Sequence, residues 1–281
     1  MDATLRRLLD AQAIRPTGEL TPLGGGDSAA VYALETCQGQ VVVKHDKAER
    51  LRGEAEGLRA LRGACKTLIV PDVLGLDEEW LLLESLNTQP SGPTSDTLLG
   101  EGLRELHSAI GEAHGWHEDN ACGQTPQSNT LHKDGRVFQR ERRLFPLSDA
   151  CFQHGLIDHA LRARIEHIAY QLEEWLPEAP ASLLHGDLWS GNVLITTRGP
   201  ALIDPAVYRH YPDVDIAMLT LFGLPGSGFF DAYWEGSAPA DWSRREALFQ
   251  LYPLLNHLLL FGATYRTGIE QRVALLETCA H

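Results

Sequence analysis

The chain reads as an α+β protein of two lobes: a small antiparallel lobe of five strands with one helix, then a larger, mainly helical lobe. Three observations predict this. Short β-branched or leucine-rich runs, punctuated by Gly and Pro, fill the first eighty-odd residues. A polar stretch rich in Pro and Gly, Asn87-Thr88-Gln89-Pro90-Ser91-Gly92-Pro93-Thr94-Ser95, follows as a linker. Beyond it, apolar residues recur at helical spacing almost to the end. The expected division is 1–86, a hinge at 87–95, and 96–281.

Each element of the first lobe has its own signal. Leu5, Leu8, Leu9 and Ile14 mark a helix that Arg15-Pro16-Thr17-Gly18 ends. Glu19 to Leu23 and Val31 to Leu34 read as strands on either side of Gly24-Gly25-Gly26. Glycine has no Cβ, so this turn lets backbone approach a ligand such as a phosphate, although a plain hairpin turn has the same look. No Gly-Lys-Ser/Thr follows, which separates it from a Walker loop. Gln40 to Lys44 is a strand that ends on a cation. Lys44 is placed either to pair with phosphates or simply to snorkel. The helix from Ala48 to Arg62 carries Leu51, Ala55, Leu58 and Leu61 on one stripe. Glu54 lies beside that stripe within reach of Lys44, with Glu49 and Glu56 as alternatives. Pro71 marks the strand to Leu76 as an edge strand, and Trp80 to Glu84 completes the five.

In the second lobe, Asp96 is expected to cap a helix to about Ile110, with His107 as a core histidine. Gly115 to Asn129 reads as a long polar loop suited to a polyhydroxylated ligand. Arg136 to Leu144 reads as a short basic helix with Arg140, Arg142 and Arg143 on a solvated face. Asp158 caps a helix to Leu176. Asp215 opens another, where it either caps its own helix or braces a neighbouring loop. Three more follow, around 229–235, 243–252 and 254–265, with Pro253 kinking or dividing the last two.

The chemistry concentrates between Leu183 and Asp204. This stretch reads as strand, polar loop, strand, turn and strand, with Asp187, Asn192 and Asp204 each placed where an apolar run stops. Oxygen donors on rigid supports suit Mg²⁺, which takes one or two protein oxygens plus water and phosphates. An Asp followed by an Asn five residues on, and later by a second Asp, is the spacing of a phosphoryl-transfer loop.

Composition narrows the partners. With 281 residues, 43% of them hydrophobic, the chain can build a sizeable core. A formal net charge of -14 argues against nucleic acid or an anionic membrane as the main partner. The five cysteines are scattered without CxxC spacing and the twelve histidines without HExxH, so reduced thiols in a cytoplasmic protein are expected. No signal peptide or membrane-spanning run is legible, and a monomer is favoured.

Taken together, the chain resembles the fructosamine kinase, or ketosamine-3-kinase, family within the protein-kinase-like phosphotransferases. The resemblance rests on Gly24-Gly25-Gly26, Lys44, Glu54-Ala55 with Gly57-Leu58, and Leu184-His185-Gly186-Asp187-Leu188-Trp189-Ser190-Gly191-Asn192. It extends through Ile203-Asp204-Pro205-Ala206, Asp215-Ile216-Ala217-Met218, the Gly123-Gln124-Thr125-Pro126-Gln127 segment and Leu251-Tyr252-Pro253-Leu254-Leu255-Asn256-His257. It implies a bilobal protein-kinase-like fold with ATP between the lobes. Gly24, Gly25, Gly26, Lys44 and Glu54 would serve the phosphates, and backbone groups from Glu84 to Leu86 the adenine. Asn192 and Asp204 would hold Mg²⁺, and Asp187, ionised at neutral pH, would take the proton of the acceptor hydroxyl. His185, Trp189, Asp215, Gln124, Thr125 and Gln127 would support the loop or touch the substrate. The implied acceptor is the 3-hydroxyl of a ketosamine, free or protein-bound, in deglycation; an aminoglycoside- or choline-like phosphotransferase is the alternative. Ser128, where relatives often carry Pro, and the altered segment 130–138 fall where substrate contacts are expected. Asp27 stands where several relatives carry Cys, so no thiol switch is expected at the glycine loop.

Overall fold

A computed structural model describes residues 2–24 and 29–278; Gly25, Gly26 and Asp27 lie outside the described residues. Helix α1 (Ala3–Ala11) is capped by Asp2 and precedes strands β1 (Thr21–Pro22), β2 (Ala30–Thr36) and β3 (Gly39–His45). Helix α2 (Ala48–Ala64), β4 (Val73–Leu76) and β5 (Trp80–Glu84) follow. The five strands form one antiparallel sheet in the order β1-β2-β3-β5-β4, which leaves the Pro71-marked strand at an edge as expected. Strand alternation sorts its residues to two faces. Val41 and Val43 of β3 join Leu82 of β5 in a core with Leu5, Leu8 and Leu9 of α1. Val42, Leu81 and Leu83 pack instead with Leu51, Ala55 and Leu58 of α2. Lys44 is two residues beyond Val42 and therefore points to the α2 side.

Helix α3 (Pro93–His107) begins earlier than expected. Gly92 is its N-cap, and the Ser95 hydroxyl accepts the Gly92 N–H, so Asp96 lies in the first turn. The linker is tied down by its backbone: Gln89 N–H donates to the Ile195 carbonyl, and Thr88 bridges Thr196. Ile110, expected at the end of α3, lies in β6 (Ile110–Gly111). The expected loop 115–129 contains a hairpin, β7 (Asn120–Cys122) and β8 (Thr125–Gln127), which turns at Gly123. The basic segment is helix α4 (Gly135–Phe138) followed by a π-helical run, Gln139–Leu144, and Arg143 in that run is fully buried rather than solvated. Helices α5 (Phe145–Gln153), α6 (His159–Ala169) and α7 (Leu172–Trp175) come next, and Asp158 caps α6.

The central stretch folds as read: β9 (Ala181–Leu184), a polar loop with a 3-10 turn at Ser190–Asn192, then the hairpin β10 (Val193–Thr196) and β11 (Gly199–Leu202). Strand β9 is the middle of a second antiparallel sheet, between β6 and β12 (Tyr208–His210). Helices α8 (Asp213–Leu221), α9 (Ser227–Trp234), α10 (Trp242–Phe261) and α11 (Arg266–Thr278) complete the chain. Pro253 does not divide α10. A helix-interior proline costs about 3 kcal/mol, but α10 is buried through Leu251, Leu254, Leu255 and Leu258 against α5, α8 and α11, which outweighs that cost. No helix among the described residues is long and apolar enough to cross a membrane.

Candidate active site

A cleft of about 590 Å³ opens between the five-stranded sheet and the helical part, lined by Lys44, Glu54, Gln124, Asp187, Trp189, Asn192 and Asp204 among others. Strand alternation delivers Lys44 to its inner wall. Its ammonium lies 2.6 Å from Glu54 on α2 and also pairs with Asp204. Glu49 is exposed and Glu56 pairs with His117, so Glu54 is the partner of the lysine. Burial works against the Lys44 charge, but the two carboxylates outweigh it and hold the ammonium above the ordinary lysine range. Burial pushes the Glu54 carboxyl up, against the pull of Lys44. The cleft lining holds four carboxyl groups, Asp46, Glu54, Asp187 and Asp204, against two cations, Lys44 and Arg50.

The loop bearing Asp187 is held from beneath. Asp215 is fully buried and accepts the N–H groups of His185 at 2.7 Å and Gly186 at 2.9 Å. It therefore braces the neighbouring loop rather than capping its own helix. A carboxylate only accepts, so His107 Nε2 donates to it across 3.2 Å, and His107 Nδ1 takes the Tyr233 hydroxyl at 2.7 Å. Burial opposes the Asp215 charge, yet His107 and the two amides hold its carboxyl below the usual range. His185 is buried too. Its Nε2 donates to the Ile203 carbonyl at 2.9 Å, which leaves Nδ1 to accept the Asp187 N–H at 3.3 Å. Burial lowers the His185 pKa and keeps the ring neutral. Gly186 has φ +83°, and a Cβ there would run into the Ala206 carbonyl, so no other residue fits between His185 and Asp187 without strain. The Trp189 indole folds over Gly191 so closely that a side chain at 191 would displace it.

Asn192 Nδ2 donates to the Asp187 carbonyl at 2.8 Å, and the Asn192 carbonyl accepts the Ile203 N–H at 3.1 Å. The two bonds tie Asp187, Asn192 and Asp204 into one backbone unit and leave Asn192 Oδ1 available. No group of three or more His, Cys, Asp or Glu suited to a metal exists among the described residues. A Mg²⁺ needs only one or two protein oxygens, so Asn192 Oδ1 and the Asp204 carboxylate fit that ion. Burial pushes the Asp187 carboxyl up to about 7, with the Asp204 and Asp215 charges adding to the rise. Desolvation thus works against the ionised Asp187 that the resemblance implies.

Other expected residues fall elsewhere. Glu84 and Leu86 are outside the cleft lining, and the Glu84 N–H already donates to the Asp72 carbonyl. Gly24 is exposed. Of the 124–127 segment only Gln124 lines the cleft. Gln127 is buried, bonded to Asn120 Oδ1 at 2.8 Å and to the Tyr252 hydroxyl at 2.7 Å, and Thr125 is buried below the hairpin turn. Gln127 thereby braces the hairpin, whereas the buried Thr125 hydroxyl has no hydrogen-bond partner among the described residues. Ser128 and residues 130–138 are also outside the lining. Arg143, unforeseen, anchors this hairpin: it donates to the Ser128 carbonyl and to Asn129 Oδ1, both at 2.7 Å, and lies over the Phe138, Tyr208 and Tyr252 rings. Cys122, also unforeseen, is a buried thiol on the cleft wall, and burial together with the Asp187 charge pushes its pKa up.

A strand-borne lysine paired to a helix glutamate, facing a loop with Asp, Asn and Asp, defines a protein-kinase-like phosphotransferase. The same fold occurs in the gentamicin complex of APH(2")-IIa, with a TM-score of 0.62, 19% identity, and 98% and 96% of the two chains covered. The particular family follows from the whole sequence: the fructosamine kinase family model matches residues 1–278, and the chain belongs to that family. It is 34% identical to "Probable ketoamine kinase YniA" of Escherichia coli K12 over 277 residues, 95% of this chain and 96% of that protein. It is 32% identical to the chloroplastic protein-ribulosamine 3-kinase of Arabidopsis thaliana, over 88% of this chain and 78% of that one. A Thermobifida fusca crystal structure, named as a candidate fructosamine-3-kinase, superposes with a TM-score of 0.92 at 30% identity over 99% of each chain. The protein is accordingly a phosphotransferase of the kinase type.

Proposed function

We propose that the chain is an ATP- and Mg²⁺-dependent kinase that phosphorylates the 3-hydroxyl of ketosamines, in deglycation. The observation that carries the reading is the Lys44–Glu54–Asp204 cluster opposite Asp187 in one cleft. The names of the Escherichia coli and Arabidopsis relatives, ketoamine kinase and protein-ribulosamine 3-kinase, supply the acceptor class. A bound Mg²⁺ supplies charge neutralisation for the phosphoryl group. Lys44, oriented by Glu54, binds the phosphates once they draw it from Asp204. Asn192 and Asp204 present oxygens to the metal. Asp187, fixed by His185 and Asn192, receives the acceptor proton, and a cation near Asp204 favours its ionised form. Trp189 and Gln124 line the acceptor side. The linker before α3, residues 87–92, divides the nucleotide part from the rest, with Leu86 left to offer backbone groups to adenine and Gly24, Gly25 and Gly26 to cover the phosphates. The free thiols of Cys37, Cys65, Cys122 and Cys151 fit a reducing, cytoplasmic setting.

The test is mass-spectrometric detection of phosphate transfer to a panel of fructosamines, ribulosamines and one aminoglycoside, with and without chelator. Transfer to ketosamines, abolished by chelation and reduced at least about a thousandfold in Asp187→Asn, is expected. Transfer to the aminoglycoside alone would overturn the acceptor, and an active Asp187→Asn would overturn the role of Asp187.

A further inference from the structure

The outer wall of the same cleft is aromatic. Phe222, at the end of α8, meets His257 and Phe261 from α10 and Tyr265 from the turn that follows, and all four line the cleft with Asp187. His257 is at the centre, its ring centroid 4.8 Å from Phe222, 5.0 Å from Tyr265 and 5.5 Å from Phe261. Phe222 is 40% exposed and Phe261 51% exposed. Clustered aromatic surface kept in contact with water inside a cleft marks a ligand wall more than a core.

The hydrogen bonding of His257 adds a polar direction to this wall. His257 Nδ1 lies 2.7 Å from the Pro253 carbonyl, which only accepts, so Nδ1 carries the ring proton. In the neutral ring Nε2 then presents a bare lone pair, and it forms no hydrogen bond among the described residues. Burial lowers the His257 pKa, which keeps the ring neutral and able to sit beside a cation.

We infer that Phe222, His257, Phe261 and Tyr265 form a subsite for the protonated secondary amine of the acceptor, with His257 Nε2 taking one ammonium N–H and the ring faces stabilising the charge. The inference rests on the ketosamine reading and deepens it. A ketosamine carries two recognition handles, a polyhydroxylated sugar and a secondary ammonium with two N–H donors. The polar half of the cleft, at Asp187 and Gln124, suits the hydroxyls. The aromatic half suits the cation and the carbon chain attached to it, because π faces attract ammonium groups and also bury methylene groups. The subsite selects glycated amines over free ketoses, while the chemistry at Asp187 stays the same.

The experiment compares two acceptors that share one ketose, an N-alkyl ketosamine and the matching O-alkyl ether, which has no charge and no N–H. Steady-state kinetics are measured for the wild type, His257→Leu and Phe261→Ala. Phe261 is half exposed, so its truncation tests the wall even if the His257 variant folds poorly. The wild type is expected to favour the ketosamine by about tenfold or more in kcat/KM. Each variant is expected to raise the KM for the ketosamine by about tenfold and that for the ether, which keeps only the alkyl contact, by much less, with kcat and the KM for MgATP unchanged. Equal losses on both acceptors, or no loss on either, would overturn the subsite while leaving the ketosamine reading intact. Turnover of neither acceptor by the wild type would defeat that reading and this inference with it.

Discussion

Replacing Asp215 tests whether the loop carrying Asp187 is held by a buried carboxylate. In the native protein Asp215 is inaccessible and accepts two backbone N–H groups, from His185 and Gly186, as well as His107 Nε2. Asp215→Ala leaves both amides buried without a partner. Each orphaned amide costs about 1–3 kcal/mol, so the two cost about 2–6 kcal/mol, and the stranded His107 Nε2–H adds to that loss, before any gain from a looser loop. Asp215→Asn keeps one acceptor oxygen and turns an amino group toward the other donor, so its loss is about half as large. Urea unfolding followed by circular dichroism gives both values. The midpoint is expected to fall in the order wild type, Asn, Ala, with the slope unchanged. Because the same two amides immediately precede Asp187, kcat for phosphoryl transfer falls in parallel. An Asp215→Ala protein within about 1 kcal/mol of wild type would refute the reasoning, since the amides would then be finding other partners.

Three further outcomes follow from the same geometry. Asp215 has a native pKa below its ordinary 3.8, so its stabilisation is full above about pH 4 and is lost as pH falls through the lower native value; the stability gap between wild type and Asp215→Ala should shrink in that window, read from urea midpoints. Arg143→Met strands the Ser128 carbonyl and Asn129 Oδ1, costing about 2–4 kcal/mol in unfolding experiments, and raises the KM for acceptor more than that for ATP, because the loosened hairpin carries Gln124. Gly191→Leu pushes the Trp189 indole off its seat, with a shift in tryptophan fluorescence and a roughly ten- to hundredfold loss of kcat/KM, while urea stability changes little.

The sequence by itself determined the parts of the site that lie close together along the chain. Asp187, Asn192 and Asp204 fall within one strand-loop-hairpin unit, whereas Lys44 stayed open between phosphate pairing and snorkelling until the fold showed that its side of β3 faces α2. Glu54 was legible as one of three glutamates, and only the fold chose it, because helix phase relative to the sheet decides which carboxylate reaches Lys44. Arg143 shows the opposite limit. A basic run reads as solvated, yet its three aromatic neighbours and two carbonyl acceptors come from segments up to 109 positions away in sequence. Thr125 and Gln127 carried the right polarity for a ligand, but alternation in a hairpin that spacing did not reveal turned them into the protein. Pro253 was read as a kink or a division because local cost is visible in sequence, whereas the burial that keeps α10 one helix is not. The aromatic wall needed the end of α8 and the end of α10 to meet in space. Spacing along the chain fixes which groups share one face of an element; only packing decides what that face is turned toward.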